Sequence, residues 1–361
     1  MKQEIRQQLE NKNQKLIDMV LEKIKRDLVT DIAIVGLTGS FSREDFHEKS
    51  DLDLIIINDT DKGWEVSSCF VLDDVGYDIY CTPWKKRLEE QSNLESFAVG
   101  SLIDLKILYY RNDEVLNKLK LLQQNALDKL SKPIGLECLN RADNTFKKAK
   151  GFYADLLIED DINSVRYASA NMLFEIINTL VNINNTYIKR GTIHYLEELK
   201  TYTHMPTDFE CMYLKVIDSK NIDEIRENSH VIISNMTKFR RKMQKEYIKQ
   251  PEVTFDNLNG VYEELWCNCR NKLIRSASME NSNYAIHVAR GAQNFLDELH
   301  DDIGTPKYNL MEVFDAHNMI PLKNKFLEIM EDFRKTYDNT GRKILHYNNF
   351  DELYSDYMKI K

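Results

Sequence analysis

No run of about eighteen uninterrupted apolar residues occurs anywhere in this 361-residue chain, so a membrane-spanning helix is not expected. The N-terminal stretch MKQEIRQQLENKNQKLIDMV is charged where an export signal needs an apolar core, and a cytoplasmic protein is expected. Cysteine is sparse. Cys69, Cys81, Cys138, Cys211, Cys267 and Cys269 have neither the spacing of a zinc site nor the density of a disulfide framework, which points to reduced thiols. Basic charge is in deficit as well: 49 Lys and Arg against 58 Asp and Glu give a formal net charge of −9. That balance argues against a nucleic-acid partner, whose binding needs excess Lys and Arg to displace counterions, and fits a small cationic partner better.

What is present suffices for large cores, since 42% of the residues are hydrophobic. Residues 3–28 carry apolar side chains at helical spacing (Leu9, Leu16, Ile17, Val20, Leu21, Ile24, Leu28). Short β-rich runs follow: IAIVG at 32–36, LDLIII at 52–57, SCFVL at 68–72, YDIYC at 77–81 and LIDLKILYY at 102–110. Asp73, Asp74 and Gly76 supply turn chemistry between the third and fourth runs, which predicts a hairpin. From Asp113 the pattern is helical, punctuated by Pro133, Pro206, Pro251, Pro306 and Pro321. The fold class expected is α+β, a mixed β-sheet with flanking helices followed by a helical-bundle region. The expected domains are 1–130 (α/β), 131–250 (helical) and 251–361 (additional C-terminal helices).

The stretch GLTGSFSREDFHEKSDLDLI, residues 36–55, holds the chemistry. In an extended segment Asp51 and Asp53 point the same way while Leu52 and Leu54 point into a core. Two like charges side by side are costly, and a hard divalent cation such as Mg²⁺ neutralises them. Asp78 interrupts the apolar run GYDIYC and offers a third carboxylate. Three aspartates on neighbouring strands can hold two metal ions about 4 Å apart, an arrangement suited to in-line phosphoryl displacement. Gly39 lets backbone approach a phosphate, Ser40 offers a hydroxyl and an amide, and Arg43 lies one turn on.

Gly-Ser, ten residues, then D-x-D in an apolar run with a later strand carboxylate resembles the DNA polymerase β nucleotidyltransferase superfamily. GSFSR with DLD is similar to the pattern of aminoglycoside nucleotidyltransferases. The stretch from SANMLFEIINTLV to DFECMYLKVIDSKNI, with its paired helices, Tyr-rich joint and L-E-x-x-K segment, resembles the helical domain of the kanamycin-type enzymes. The likeness covers about residues 30–245. It implies transfer of a nucleoside monophosphate from a Mg²⁺-bound NTP, ATP being the expected one, to a hydroxyl of a small acceptor, with an aminoglycoside-like antibiotic as candidate. It assigns Asp51, Asp53 and Asp78 to metal, and Gly39, Ser40 and Arg43 to the nucleotide. The family's helical-domain base falls at Lys147 here, and Asp143, one turn earlier, is the carboxylate that stands in; Lys150 falls near a phosphate-contacting lysine. The alternative is a protein-modifying or antitoxin-type nucleotidyltransferase acting on a protein partner.

Other features have plainer readings. His194, His287 and His346 stand apart from any nucleophile and read as structural. The basic run KFRRKMQKEYIK at 238–249 reads as a solvated helix face.

Overall fold

The computed structural model describes residues 3–95, 98–249 and 251–359, which fall into two compact units, Met1–Ile248 and Lys249–Lys361. The first unit opens with helix α1 (Gln3–Asp27), whose buried stripe Leu9, Leu16, Ile17, Val20 and Ile24 is the one its sequence spacing calls for. Strands β1 (Ile32–Leu37), β2 (Leu54–Asn58), β5 (Cys81–Thr82) and β6 (Lys106–Tyr110) form a mixed sheet in the order β5-β2-β1-β6. β1 is antiparallel to β2 and β6, and β5 is parallel to β2. A separate hairpin joins β3 (Ser68–Leu72) and β4 (Val75–Ile79) through Asp73 and Asp74, both at positive φ (52° and 57°), as the favoured two-residue turn requires.

One sheet face packs on α1 through Val35, Leu54 and Ile56, joined by Val75, Tyr77 and Ile79 of the hairpin. The other face, with Ala33, Ile55 and Ile57, is covered by Leu88, Leu102 and the inner side of α5 (Asp113–Ser131). Leu88 belongs to a π-helical turn, Lys85–Glu89, that runs into α3 (Glu90–Ser92).

Two expectations need correction. Residues 102–110 are not one strand: α4 (Gly100–Ile103) is a helical turn, and the strand starts only at Lys106. Its N-terminal part bends because Leu102 is drawn into the core beneath α5. β2 likewise begins at Leu54, so Asp51 and Asp53 lie on its approach, although the alternation of buried Leu52 and Leu54 with exposed aspartates holds.

The rest of the first unit is helical: α6 (Leu136–Ile158), α7 (Ile162–Ile183), α8 (Tyr195–Leu199), α9 (Phe209–Asp218) and α10 (Ile222–Tyr247). Phe146, Met172, Ile176, Leu180, Ile232 and Met236 fill their shared core. Asn185, buried after α7, ties this bundle to the α/β part. Its amide donates to the carbonyls of Lys129, Leu130 and Lys132 (3.0, 3.2 and 3.0 Å) at the end of α5, and its oxygen accepts from Arg141 at 2.6 Å.

The second unit contains α11 (Val261–Leu265), a π-helical turn Trp266–Arg270, α12 (Asn271–Ser278), α13 (Ser282–Ile303), α14 (Ile320–Thr340) and α15 (Phe350–Tyr357). Its core gathers Leu265, Ala289, Leu296, Phe326 and Phe333, and buried Tyr337 accepts from the Tyr262 N–H (2.9 Å) while donating to the Leu258 carbonyl. Among the described residues no helix is long and apolar enough to cross a membrane.

Candidate active site

Strand pairing builds the centre of the site. At one end of the sheet Leu37 of β1 faces both Leu54 of β2 and Lys106 of β6, so the exit of β1 and the entries of β2 and β6 converge. The β1–β2 ladder extends one step further, where the Thr38 N–H donates to the Asp53 carbonyl (3.0 Å). That step lays Gly39 against the Asp53 side chain. A Cβ built on Gly39 would stand 1.8 Å from Asp53 Oδ2, and Gly39 has φ +72°. Glycine is therefore required twice, for its conformation and for the space the carboxylate occupies.

After Gly39 the chain makes a short turn, α2 (Gly39–Arg43), ended by Glu44 at φ 65°. The Lys106 ammonium donates to the Ser42 carbonyl and fastens this turn to β6. The Ser40 hydroxyl has no partner among the described residues. Arg43 pairs with Asp45 (3.2 Å) and still acts on Asp53 across the site.

Asp53 is pushed above the usual carboxylate range by partial burial and, next, by the negative charge of Asp51; Arg43 and Arg87 oppose the shift. The pair thus carries like-charge repulsion that Arg43 and Arg87 do not cancel. A divalent cation fits this donor set, because its charge relieves what the two arginines only partly offset.

Asp78 is exposed on β4, opposite Cys69. Asp78 belongs to the separate β3–β4 hairpin, where its alternation with buried Tyr77 and Ile79 puts it on the face away from α1, as the alternation with Leu52 and Leu54 does for Asp53. The structure does not gather the three, however. Among the described residues no group of three His, Cys, Asp or Glu side chains stands ready to hold a metal ion. Of the three expected aspartates, Asp51 is the one that acts on Asp53, and Asp78 stands on the separate hairpin.

The two helical residues expected at the site are placed otherwise. Both Asp143 oxygens are engaged, one by Arg240 (2.6 Å) and one by Gln244 (2.7 Å), so this carboxylate straps α6 to α10. Lys150 is exposed and lies over the Phe146 ring (5.6 Å), which it shares with Arg240 (5.7 Å). Neither is among the groups that act on Asp53.

Asp104 is the carboxylate that does stand at the same end of the sheet, two residues before β6. Burial raises its pKa, while the Tyr187 hydroxyl, which donates to Oδ1 at 3.3 Å, and the charges of Lys189 and Arg43 lower it. Arg43 thus acts on both Asp53 and Asp104. Tyr187, pushed up to about 12 chiefly by burial, belongs to the joint after α7 and lines a cavity of about 320 Å³ with Lys189, Arg190, Glu198 and Tyr202. A Cβ on Gly100 would meet the Ile188 carbonyl at 2.9 Å, so α4 lies directly on this joint. No local motif announced Asp104, Tyr187 or Arg87. The only sequence signal was a lone Asp in the apolar run LIDLKILYY.

Residues 17–136, about a third of the chain, match the family model described as "Nucleotidyltransferase domain". The segment contains Gly39, Ser40, Arg43, Asp51, Asp53, Asp78, Arg87 and Asp104. The first unit carries a nucleotidyltransferase domain, and the protein is, at the level of enzyme class, a nucleotidyltransferase. No curated protein matches the chain. Among solved structures it is similar to a nucleotidyltransferase-like protein from Exiguobacterium sibiricum, at 11% identity and a TM-score of 0.34, over 92% of this chain and 95% of that one.

Proposed function

We propose that the protein transfers a nucleoside monophosphate from a Mg²⁺-bound NTP, ATP being the nucleotide to test first, to a hydroxyl of a small acceptor. The observation that carries this reading is the seat of Gly39 on the Asp53 carboxylate, beside Asp51 and within the matched domain. Asp51 and Asp53 would hold the cation, which when bound neutralises triphosphate charge and holds the α-phosphate toward the acceptor. The Gly39–Ser40 turn and Arg43 bind and orient the phosphates. On the acceptor side Asp104 takes the place expected of Asp143, because Asp104 lies at the sheet end that holds Asp53 while Asp143 is spent between two helices. The acceptor oxygen bonds to the α-phosphorus, the bond to the β-phosphate bridge breaks, pyrophosphate leaves, and the hydroxyl proton passes to Asp104.

An aminoglycoside-like acceptor rests on the resemblance of the helical part to kanamycin-type enzymes. The cavity beside Tyr187 is near the lower limit for a ligand pocket and is lined by the charged side chains of Lys189, Arg190 and Glu198. Incubation with each labelled NTP, Mg²⁺ and a panel of hydroxyl compounds including kanamycin tests the reading. Pyrophosphate release that depends on an acceptor supports it, and its absence throughout the panel, protein acceptors included, counts against it.

A further inference from the structure

The π-helical turn Lys85–Glu89 carries a second arginine, Arg87, that acts on Asp53. Trp84, at its start, donates from Nε1 to Asp59 (2.9 Å), just past the C-terminal end of β2. Arg87, three residues later, acts on Asp53, just before the N-terminal end of β2. Leu88, the neighbour of Arg87, is fully buried against the β2 face that carries Ile55 and Ile57, the face that Asp53 shares by alternation. Trp84 is itself held, with the Lys118 ammonium 4.2 Å from its ring. Arg87 thus projects from a backbone fixed on both sides.

Arg87 is half-buried, and among the described residues its guanidinium engages no hydrogen bond or ion pair. Arg43, by contrast, already shares a bond with Asp45. A planar fork of five donors kept partly out of water without a partner is matched to an incoming oxyanion. π-Helical turns often mark functional positions for the same reason: the extra residue redirects a side chain.

We propose that Arg87 binds the triphosphate together with Arg43, so that two arginines hold the nucleotide's phosphates at the Asp51–Asp53 pair. This rests on the nucleotidyltransferase reading of the site. The bland alternative is that Arg87 only balances the two carboxylates. The two roles differ in what they do to anion binding: a phosphate contact discriminates ATP from adenosine, whereas charge balance alone alters the carboxylates and leaves that discrimination intact.

The test is calorimetric titration of the full chain with MgATP, with pyrophosphate plus Mg²⁺, and with adenosine, for wild type, Arg87→Ala, Arg87→Lys and the neighbouring Lys86→Ala. Circular dichroism melting confirms that each variant is folded. Arg87→Ala is expected to weaken MgATP and pyrophosphate at least tenfold and adenosine less than twofold. Arg87→Lys should recover part of the loss, and Lys86→Ala should resemble wild type. If wild type binds MgATP and Arg87→Ala binds it equally well, the proposal is overturned while the nucleotidyltransferase reading stands. If folded wild type binds no nucleotide, both fall together.

Discussion

Gly39 stands so close to Asp53 that a single methyl group on it would overlap the carboxylate, 1.8 Å from Oδ2. This contact turns a spacing in the sequence into a constraint on chemistry: the turn that is to cradle phosphates and the carboxylate that is to hold a cation share one van der Waals boundary. Gly39→Ala should therefore fail in two ways. The positive φ costs about 1–2 kcal/mol for a residue with a Cβ, and the displaced carboxylate should lose MgATP affinity by about tenfold or more. Urea unfolding and calorimetry read the two effects separately. Unchanged affinity in Gly39→Ala would show that Asp53 does not need its present position.

Asp53 titrates above the ordinary carboxylate range because of its partial burial and of Asp51. The folded protein therefore holds this proton more tightly than the unfolded chain, so the ionised form costs stability at neutral pH. That cost fades as the pH falls through the raised value toward the unfolded value of about 3.9. Without metal, Asp53→Asn should melt above wild type at pH 7, and the gap should narrow at acidic pH. Mg²⁺ should raise the melting temperature of wild type and leave Asp53→Asn nearly unmoved. Equal responses to Mg²⁺ would remove Asp53 from the metal site.

In the proposed reaction Asp104 takes the role that the sequence led us to expect of Asp143. Asp143→Asn should cost about 1–3 kcal/mol of stability by removing a charge-assisted bond to Arg240, with turnover per folded molecule retained. A large loss of turnover at unchanged stability would restore Asp143 as the base.

Asp104→Asn should leave nucleotide affinity within about twofold and lower turnover by about a hundredfold. The Tyr187 hydroxyl lowers the pKa of Asp104 by donating to it. Its removal in Tyr187→Phe should therefore move the acidic limb of the pH–rate profile to higher pH. A limb that stays put, or moves down, would mean that another group sets it.

The pattern of what was readable follows from distance along the chain. Gly39, Asp51 and Asp53 lie within one β-turn-β segment, where strand alternation and glycine chemistry act locally, and the hairpin at Asp73–Asp74 was legible for the same reason. The partner of Asp143 is 97 residues away on another helix, so nothing near Asp143 could show that its carboxylate was taken. Arg87 and Asp104 are single charged residues in unremarkable surroundings. Only the sheet order, which brings the entries of β2 and β6 beside the exit of β1, gives Asp104 its meaning. The strand expected at 102–110 failed at its first residues because burial of Leu102 under α5 outweighed the local β pattern.

The central claim is that this site moves a nucleotidyl group, and parallel reactions with ATP labelled at the α- or the γ-phosphate, Mg²⁺ and the acceptor panel test it most directly. The account expects α-label on the acceptor, γ-label only in pyrophosphate, and loss of both in Asp53→Asn. Transfer of the γ-label to an acceptor, or undiminished α-label transfer by Asp53→Asn, would contradict it.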